Sequence, residues 1–292
     1  MKPALFDYYR PNSLDEAVGA LAASDSSKVL AGGQSLIPAM NFRLSSPSLL
    51  VDIQGMPEFG ALTVDSGGVR IGAAVTQSTV ERSPDASAAV SALRQALRYV
   101  GHLQIRNKGT VCGSLAHADP AAELPALAVA LGAELAIHNA GGSRLIAAGD
   151  FYRGPFWVDL EPEDILTEAY FPAPPAGTVT VVDEISRRAG DFAIVGLAAV
   201  VAVDEGTVTS ATLVSFGVGG KPERLATAES AIVGFDGNGA SDALYDAAFQ
   251  DADGALDDGH ATAIYRQEAL ASVVVRAARA ALDSAQDGRR NS

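Results

Sequence analysis

Leu30-Ala31-Gly32-Gly33-Gln34-Ser35-Leu36-Ile37 and Gly109-Thr110-Val111-Cys112-Gly113-Ser114 are two glycine-containing segments almost eighty residues apart, each bordering or lying within an apolar run. The first follows a short strand pattern, Lys28-Val29-Leu30-Ala31, and enters a short helical pattern over 36–44. Backbone without Cβ atoms can approach a diphosphate closely and offer it N–H groups, and a helix N-terminus adds a favourable dipole. Two such turns predict one phosphate-bearing ligand held from both sides, hence a nucleotide cofactor. Neither segment fits G-x-G-x-x-G or carries the Gly-Lys-Ser/Thr of a P-loop, which disfavours a Rossmann site and a triphosphatase.

Working outward, Ser13 is placed to cap a helix over 13–21, with Glu16 completing a capping box and Leu14, Ala17, Val18 and Leu21 at helical spacing. Strands are expected over 49–53 and 69–72, and a helix over 86–100. The second glycine turn then falls at a helix-to-strand junction. Asp119-Pro120-Ala121-Ala122-Glu123 reads as a helix start, with Asp119 as cap, and the helix stops at Gly132. Strands over 134–138, 145–147 and 165–171 lead to Pro172-Ala173-Pro174-Pro175-Ala176-Gly177, which cannot donate ladder hydrogen bonds and marks a domain boundary. Beyond it come strands over 178–183, 192–203 and 208–216, then helices over 226–233, 242–249 and 263–282. The C-terminal third is expected to be a compact α+β unit.

Composition narrows the function. The 292 residues are 48% apolar and carry 21 Lys and Arg against 35 Asp and Glu, a net charge of −14 that disfavours nucleic acid and anionic membranes as partners. No apolar run approaches a membrane span and the start lacks a signal-peptide core, so the expected location is cytoplasmic, with peripheral attachment at the inner face of the membrane through partners left open. One cysteine, Cys112, excludes a disulfide, an iron–sulfur cluster or a thiolate zinc site within this chain. The four histidines show no metal-binding spacing.

Extended, Leu30 to Pro38 and Gln104 to Pro125 resemble the signatures of the FAD-binding medium subunit of molybdenum hydroxylases, the family of carbon monoxide dehydrogenase and xanthine dehydrogenase. The segment Ile185-Ser186-Arg187-Arg188-Ala189-Gly190-Asp191-Phe192-Ala193-Ile194-Val195-Gly196 and the pair Tyr265-Arg266 agree with it, so the likeness runs from Phe6 to about Leu282. It implies an α+β chain: a two-subdomain FAD-binding domain of the vanillyl-alcohol-oxidase/PCMH type over 1–177 (subdomains about 1–56 and 57–177), then a smaller domain over 178–284 with a three-stranded sheet and helices. Residues 285–292 are expected as a disordered tail.

The same resemblance implies the site. Leu30, Ala31, Gly32, Gly33, Gln34, Ser35, Leu36 and Ile37 match the first pyrophosphate loop. Gly109, Thr110, Val111, Gly113 and Ser114 match the second, with Ser114 where asparagine is frequent and Cys112 where glycine is usual. Glu123 matches a carboxylate that accepts from ribityl or ribose hydroxyls, although by itself it is a first-turn helix acid. His117, Ala118 and Asp119 line the same turn; Leu166 matches an apolar residue near the adenine or flavin ring, or is plain core. Phe192 matches an aromatic near the isoalloxazine. Family members often carry a lysine where this chain has Asp183 and Glu184.

A noncovalent FAD, no metal and no catalytic side chain follow, since the redox chemistry belongs to the flavin. Electrons must then come from another polypeptide. The resemblance names a small subunit with two-iron two-sulfur clusters and a large subunit with the molybdenum cofactor, in an (LMS)2 heterohexamer, with a quinone, NAD or another acceptor downstream. Two alternatives stay open: a self-contained FAD-dependent oxidase of a small alcohol, and a flavin-free assembly or structural subunit.

Overall fold

A computed structural model describes residues 2–24, 26–238 and 241–290, with side chains to 287. The chain opens with β1 (Asp7–Tyr9), α1 (Leu14–Ala22), β2 (Ser27–Leu30), α2 (Leu36–Asn41) and β3 (Leu49–Asp52), a parallel three-stranded sheet of order β1-β3-β2. Ser13 caps α1 as expected, its Oγ accepting from the Glu16 N–H at 3.2 Å. The reciprocal half of the capping box shifts by one residue: Glu16 accepts from the N–H of Asn12.

Next come β4 (Leu62–Asp65), β5 (Gly68–Gly72), α3 (Gln77–Arg82), α4 (Pro84–Ala89), α5 (Ser91–Tyr99), α6 (Leu103–Arg106), α7 (Val111–His117), α8 (Glu123–Leu131), β6 (Glu134–Asn139), β7 (Gly142–Ala147), α9 (Ala148–Phe151), β8 (Tyr152–Gly154), β9 (Trp157–Val158) and β10 (Ile165–Pro172). Strands β4-β5-β10-β6-β7 form an antiparallel sheet covered by helices. Three expectations fail here. The helix expected over 86–100 is two, because Ser83 caps α4 with Pro84 at its first position and Val90, extended at φ −138°, breaks it from α5. Thr110 to Ser114 does not enter a strand: Thr110 caps α7, its hydroxyl accepting from the Gly113 N–H. Asp119 caps no helix; it accepts from Ala121 within a turn, and α8 starts at Glu123.

The remainder is β11 (Thr178–Ile185), β12 (Val195–Asp204), β13 (Thr207–Phe216), β14 (Glu223–Arg224), α10 (Ala226–Ala231), α11 (Ser241–Asp251) and α12 (Ala263–Arg290). The antiparallel sheet β11-β12-β13-β14 has a fourth strand beyond the expected three, of two residues and so without a sequence pattern. α12 continues through Arg290, where a tail was expected from 285. A long helix adds residues at low cost once nucleated, Gly288 included, while Asn291 and Ser292 lie outside the described residues.

Alternation along β12 divides the molecule. Leu197, Ala199 and Val201 face a core built with α11 and α12, while Ala198, with Val214 and Phe216 of β13, faces the larger core that includes α5 and α8. α8 is apolar nearly all round, as a helix enclosed on every side must be, and packs on β12 and β13 as well as on α5, α7 and β10. The open edge of β11 is closed by Gln95 of α5, which donates to the Thr180 carbonyl and accepts from the Val182 N–H, both at 3.2 Å.

Arg266, only 3% exposed, locks the C-terminal loops: its guanidinium donates to the carbonyls of Leu256, Ile194 and Gly217 and to Asp258. Replacing it by Met strands three carbonyl acceptors, the one of Gly217 fully buried, and unpairs Asp258. Arg266→Met is expected to lower unfolding stability by roughly 3 kcal/mol, read from urea denaturation.

Candidate functional site

The two glycine segments touch. A Cβ built on Gly32 would lie 2.3 Å from the Lys108 carbonyl oxygen and 2.6 Å from the Gly109 Cα, so only glycine lets the first loop reach the second. One built on Gly113 would meet Ala31 Cβ at 3.7 Å. Gly33 sits at φ +68°, turning the chain from β2 into α2, and the Ile37 N–H returns to its carbonyl at 3.1 Å. Gln54 at the end of β3 donates from Nε2 to the Ala31 carbonyl, and Gln34 donates to the Gly32 carbonyl. The first loop is thus fixed through its carbonyls.

Its N–H groups are left over. Those of Gly33, Gln34 and Ser35 find no acceptor among the described residues, in a half-buried loop. Adjacent unengaged N–H groups are the donor set an anion requires. The second segment differs: Val111 donates to Val75 O, Gly113 to Thr110 Oγ1 and Ser114 to Thr110 O. It forms the facing wall, with most of its donors satisfied: among the described residues only the N–H groups of Thr110 and Cys112 in it find no acceptor.

That wall has supports to which the sequence reading assigned no role. Arg106 is bidentate on Glu81 of α3, at 2.8 and 3.1 Å, and also donates to the carbonyls of Val100 and Gly101, pinning the approach to Lys108. Buried Gln77 donates its backbone N–H to the Gly109 carbonyl at 2.8 Å, and its Oε1, without a donor, packs against Gly109. Arg106 stood inside the quoted signature; Gln77 gave no sequence signal. Cys112 points away from the first loop: its Sγ donates to the Ile71 carbonyl on β5, and burial pushes the thiol up to about 12.

Below the wall lies a strained turn. Ala118 and Phe156 both occupy the left-handed region, φ 51° and 54°, and the Phe156 N–H donates to the Ala118 carbonyl at 3.0 Å. Non-glycine residues held there mark sites that the surrounding structure over-determines. The His117 ring tilts against Phe156 with centroids 5.1 Å apart, and burial holds His117 below the usual imidazole range. The Gly217 N–H donates to the Pro120 carbonyl, so the loop that Arg266 fixes also fixes this turn.

Glu123, 7% exposed, starts α8 beside Asp119. Burial raises its carboxyl to about 8, with the charges of Glu184 and Asp119 adding to the effect. Glu184 on β11 is raised to about 7, also by burial, and its Oε2 has no donor. The structure therefore brings Leu30 to Ile37, Gly109 to Ser114 and the turn 117–119 with Glu123 into one connected stretch. It leaves Leu166 within the core on β10, at a register shift, and Phe192 71% exposed on the loop before β12.

Comparisons with known proteins agree with this architecture. The family described as the FAD binding domain in molybdopterin dehydrogenase matches residues 4–174, and the CO dehydrogenase flavoprotein C-terminal domain matches 181–281. The chain is 36% identical, over 98% of its length and 97% of the relative's, to the 6-hydroxypseudooxynicotine dehydrogenase complex subunit alpha of Paenarthrobacter nicotinovorans. Solved structures of carbon monoxide dehydrogenase from Hydrogenophaga pseudoflava (33% identity, 96% of this chain and 98% of that one) and quinoline 2-oxidoreductase from Pseudomonas putida 86 (32%, 98% and 99%) both superpose with a TM-score of 0.91.

Two outcomes follow. Cys112 is expected to stay unmodified by a thiol reagent in the native protein and to react fully in denaturant. Glu123, raised in the folded state, contributes stability below its unfolded value near 4.5 that is lost as pH rises through about 8. In FAD-free protein Glu123→Gln should remove that slope, gaining on the order of 3 kcal/mol over the parent between pH 5 and 8, read from melting curves.

Proposed function

Since the chain belongs to the family of FAD-binding medium subunits of molybdenum hydroxylases, we propose that it is the flavin relay of a heteromeric dehydrogenase: it takes electrons from a two-iron two-sulfur subunit and passes them to an external acceptor such as a quinone or NAD. Among the described residues no helix is long and apolar enough to cross a membrane. The carrying observation is the backbone contact of Gly32 with Lys108 and Gly109 beside the unengaged N–H groups of Gly33, Gln34 and Ser35.

FAD, when bound, supplies one- and two-electron chemistry that no side chain of this chain possesses. The protein's part is binding and electrostatics. Gly33, Gln34 and Ser35 donate to the diphosphate, with Gly109 to Ser114 as the opposing wall. Glu123, buried at the start of α8, would accept from a ribityl or ribose hydroxyl, a bond that lowers the cost of its ionised form. His117, Ala118 and Asp119 shape the turn; Leu166 backs it from the core and Phe192 covers the ring from an exposed loop. We assign residues 1–177 to cofactor binding, with subdomains of about 1–56 and 57–177, and 178–284 to the C-terminal domain. The full enzyme would be an (LMS)2 heterohexamer with the molybdenum cofactor in the large subunit.

The purified chain should carry, or take up, a yellow chromophore with flavin absorption bands. Gly32→Ala should cut FAD occupancy at least about tenfold, because its Cβ cannot fit beside Lys108. A protein that stays colourless with excess FAD overturns the reading. Anaerobic bleaching by a small alcohol would instead establish a self-contained oxidase.

A further inference from the structure

One stretch of surface departs from the charge of the whole. Between Glu81 and Lys108 the sequence holds five Lys and Arg residues against two acids, in a chain of net charge −14. α5 turns Ala92, Leu93, Ala96 and Leu97 to the core and leaves Arg94 and Arg98 exposed, four residues apart. Like charges at that spacing repel. Neither guanidinium has an ion pair or hydrogen bond among the described residues, nor has Arg82 at the end of α3. Glu81, the nearest acid in sequence, is committed to Arg106, and Asp85 of α4 pairs with none of them.

Arg82 and Arg94 line, with Glu81, Ser83, Pro84 and Leu103, an open groove of about 510 Å³. Leu103 and Ile105 of α6 are 45% and 38% exposed. Unpartnered cations around exposed aliphatic side chains fit an acidic surface with an apolar centre: the charges steer the encounter and the aliphatics are buried on contact. α6 runs directly into Lys108 and Gly109, the backbone that meets Gly32, so whatever seats here lies one short helix from the cofactor clamp.

We propose that the outer face of α3, α5 and α6, centred on Arg82, Arg94, Arg98 and Leu103, is the docking surface for an acidic face of the electron-donating iron–sulfur subunit. This rests on the flavin-relay reading above.

The test co-expresses the chain with its partner subunits and measures association of the FAD-loaded chain with the iron–sulfur subunit. Wild-type affinity should fall about fivefold or more from about 50 to about 300 mM NaCl. Arg94→Glu/Arg98→Glu should weaken it at least about tenfold at low salt with FAD content and melting temperature retained, and Arg94→Gln/Arg98→Gln should fall between. Lys2→Glu/Lys28→Glu, the same charge change elsewhere, should leave it within about twofold. Unchanged association of Arg94→Glu/Arg98→Glu, or an equal loss in Lys2→Glu/Lys28→Glu, overturns the docking face alone. So does a face that binds duplex DNA and not the subunit. A wild-type chain that binds FAD but neither partner overturns the flavin-relay reading together with it.

Discussion

Everything at the site depends on one backbone contact: the Cα of Gly32 lying against the Lys108 carbonyl and Gly109. That contact joins the loop leaving the small parallel sheet to the loop between α6 and α7, and it is possible only because Gly32 has no Cβ. It also explains how the neighbouring side chains are used. Gln54 and Gln34 hold carbonyls of the first loop, and Gln77 and Arg106 hold carbonyls on the approach to the second. With acceptors occupied and the N–H groups of Gly33, Gln34 and Ser35 free, the cleft is a donor surface inside an acidic protein. Local geometry there presents donors against the net field of the protein.

A second constraint sets the cleft's far wall. α8 has almost no face for solvent, so it must be covered by both the five-stranded and the four-stranded sheet. Burying its first residue places a carboxyl, Glu123, where ionisation is costly without a hydrogen-bond donor. Arg266 fixes the same region from the other side, through Gly217 and onward to Pro120. The conspicuous pair Tyr265-Arg266 thereby gains a physical meaning: Arg266 is a tie between loops.

Legibility followed the range of the interactions. The Ser13 cap and the stop of α8 at Gly132 depend on neighbours within a few residues, and both were read correctly. Val90 was not, since an apolar residue at a helical position carries no sign that Pro84 has already started a separate helix. Thr110 to Ser114 misled for a related reason: glycine suggests a turn, yet Gly113 lies in the first turn of α7, satisfied by the Thr110 hydroxyl. The site residues clustered in sequence around 30–37 and 109–123 could be read as a group. Gln77 and Glu184, supplied by other elements, could not, because their importance lies in being buried without a full set of partners.

By itself the sequence determined the chemistry on offer: glycine where backbone must come close, a single thiol, an excess of acids, and four ordered signatures that pointed to a flavin subunit. Those are properties of residue type and short spacing. Only the tertiary structure decided that the two glycine segments meet, that the first has three adjacent free donors while the second has spent most of its own, and that Cys112 faces β5. It also decided that Arg82 and Arg94 line one groove while the acid beside them, Glu81, is taken by Arg106. Each of these depends on groups distant in sequence being brought within a few ångströms, and pattern along a chain carries no measure of that distance.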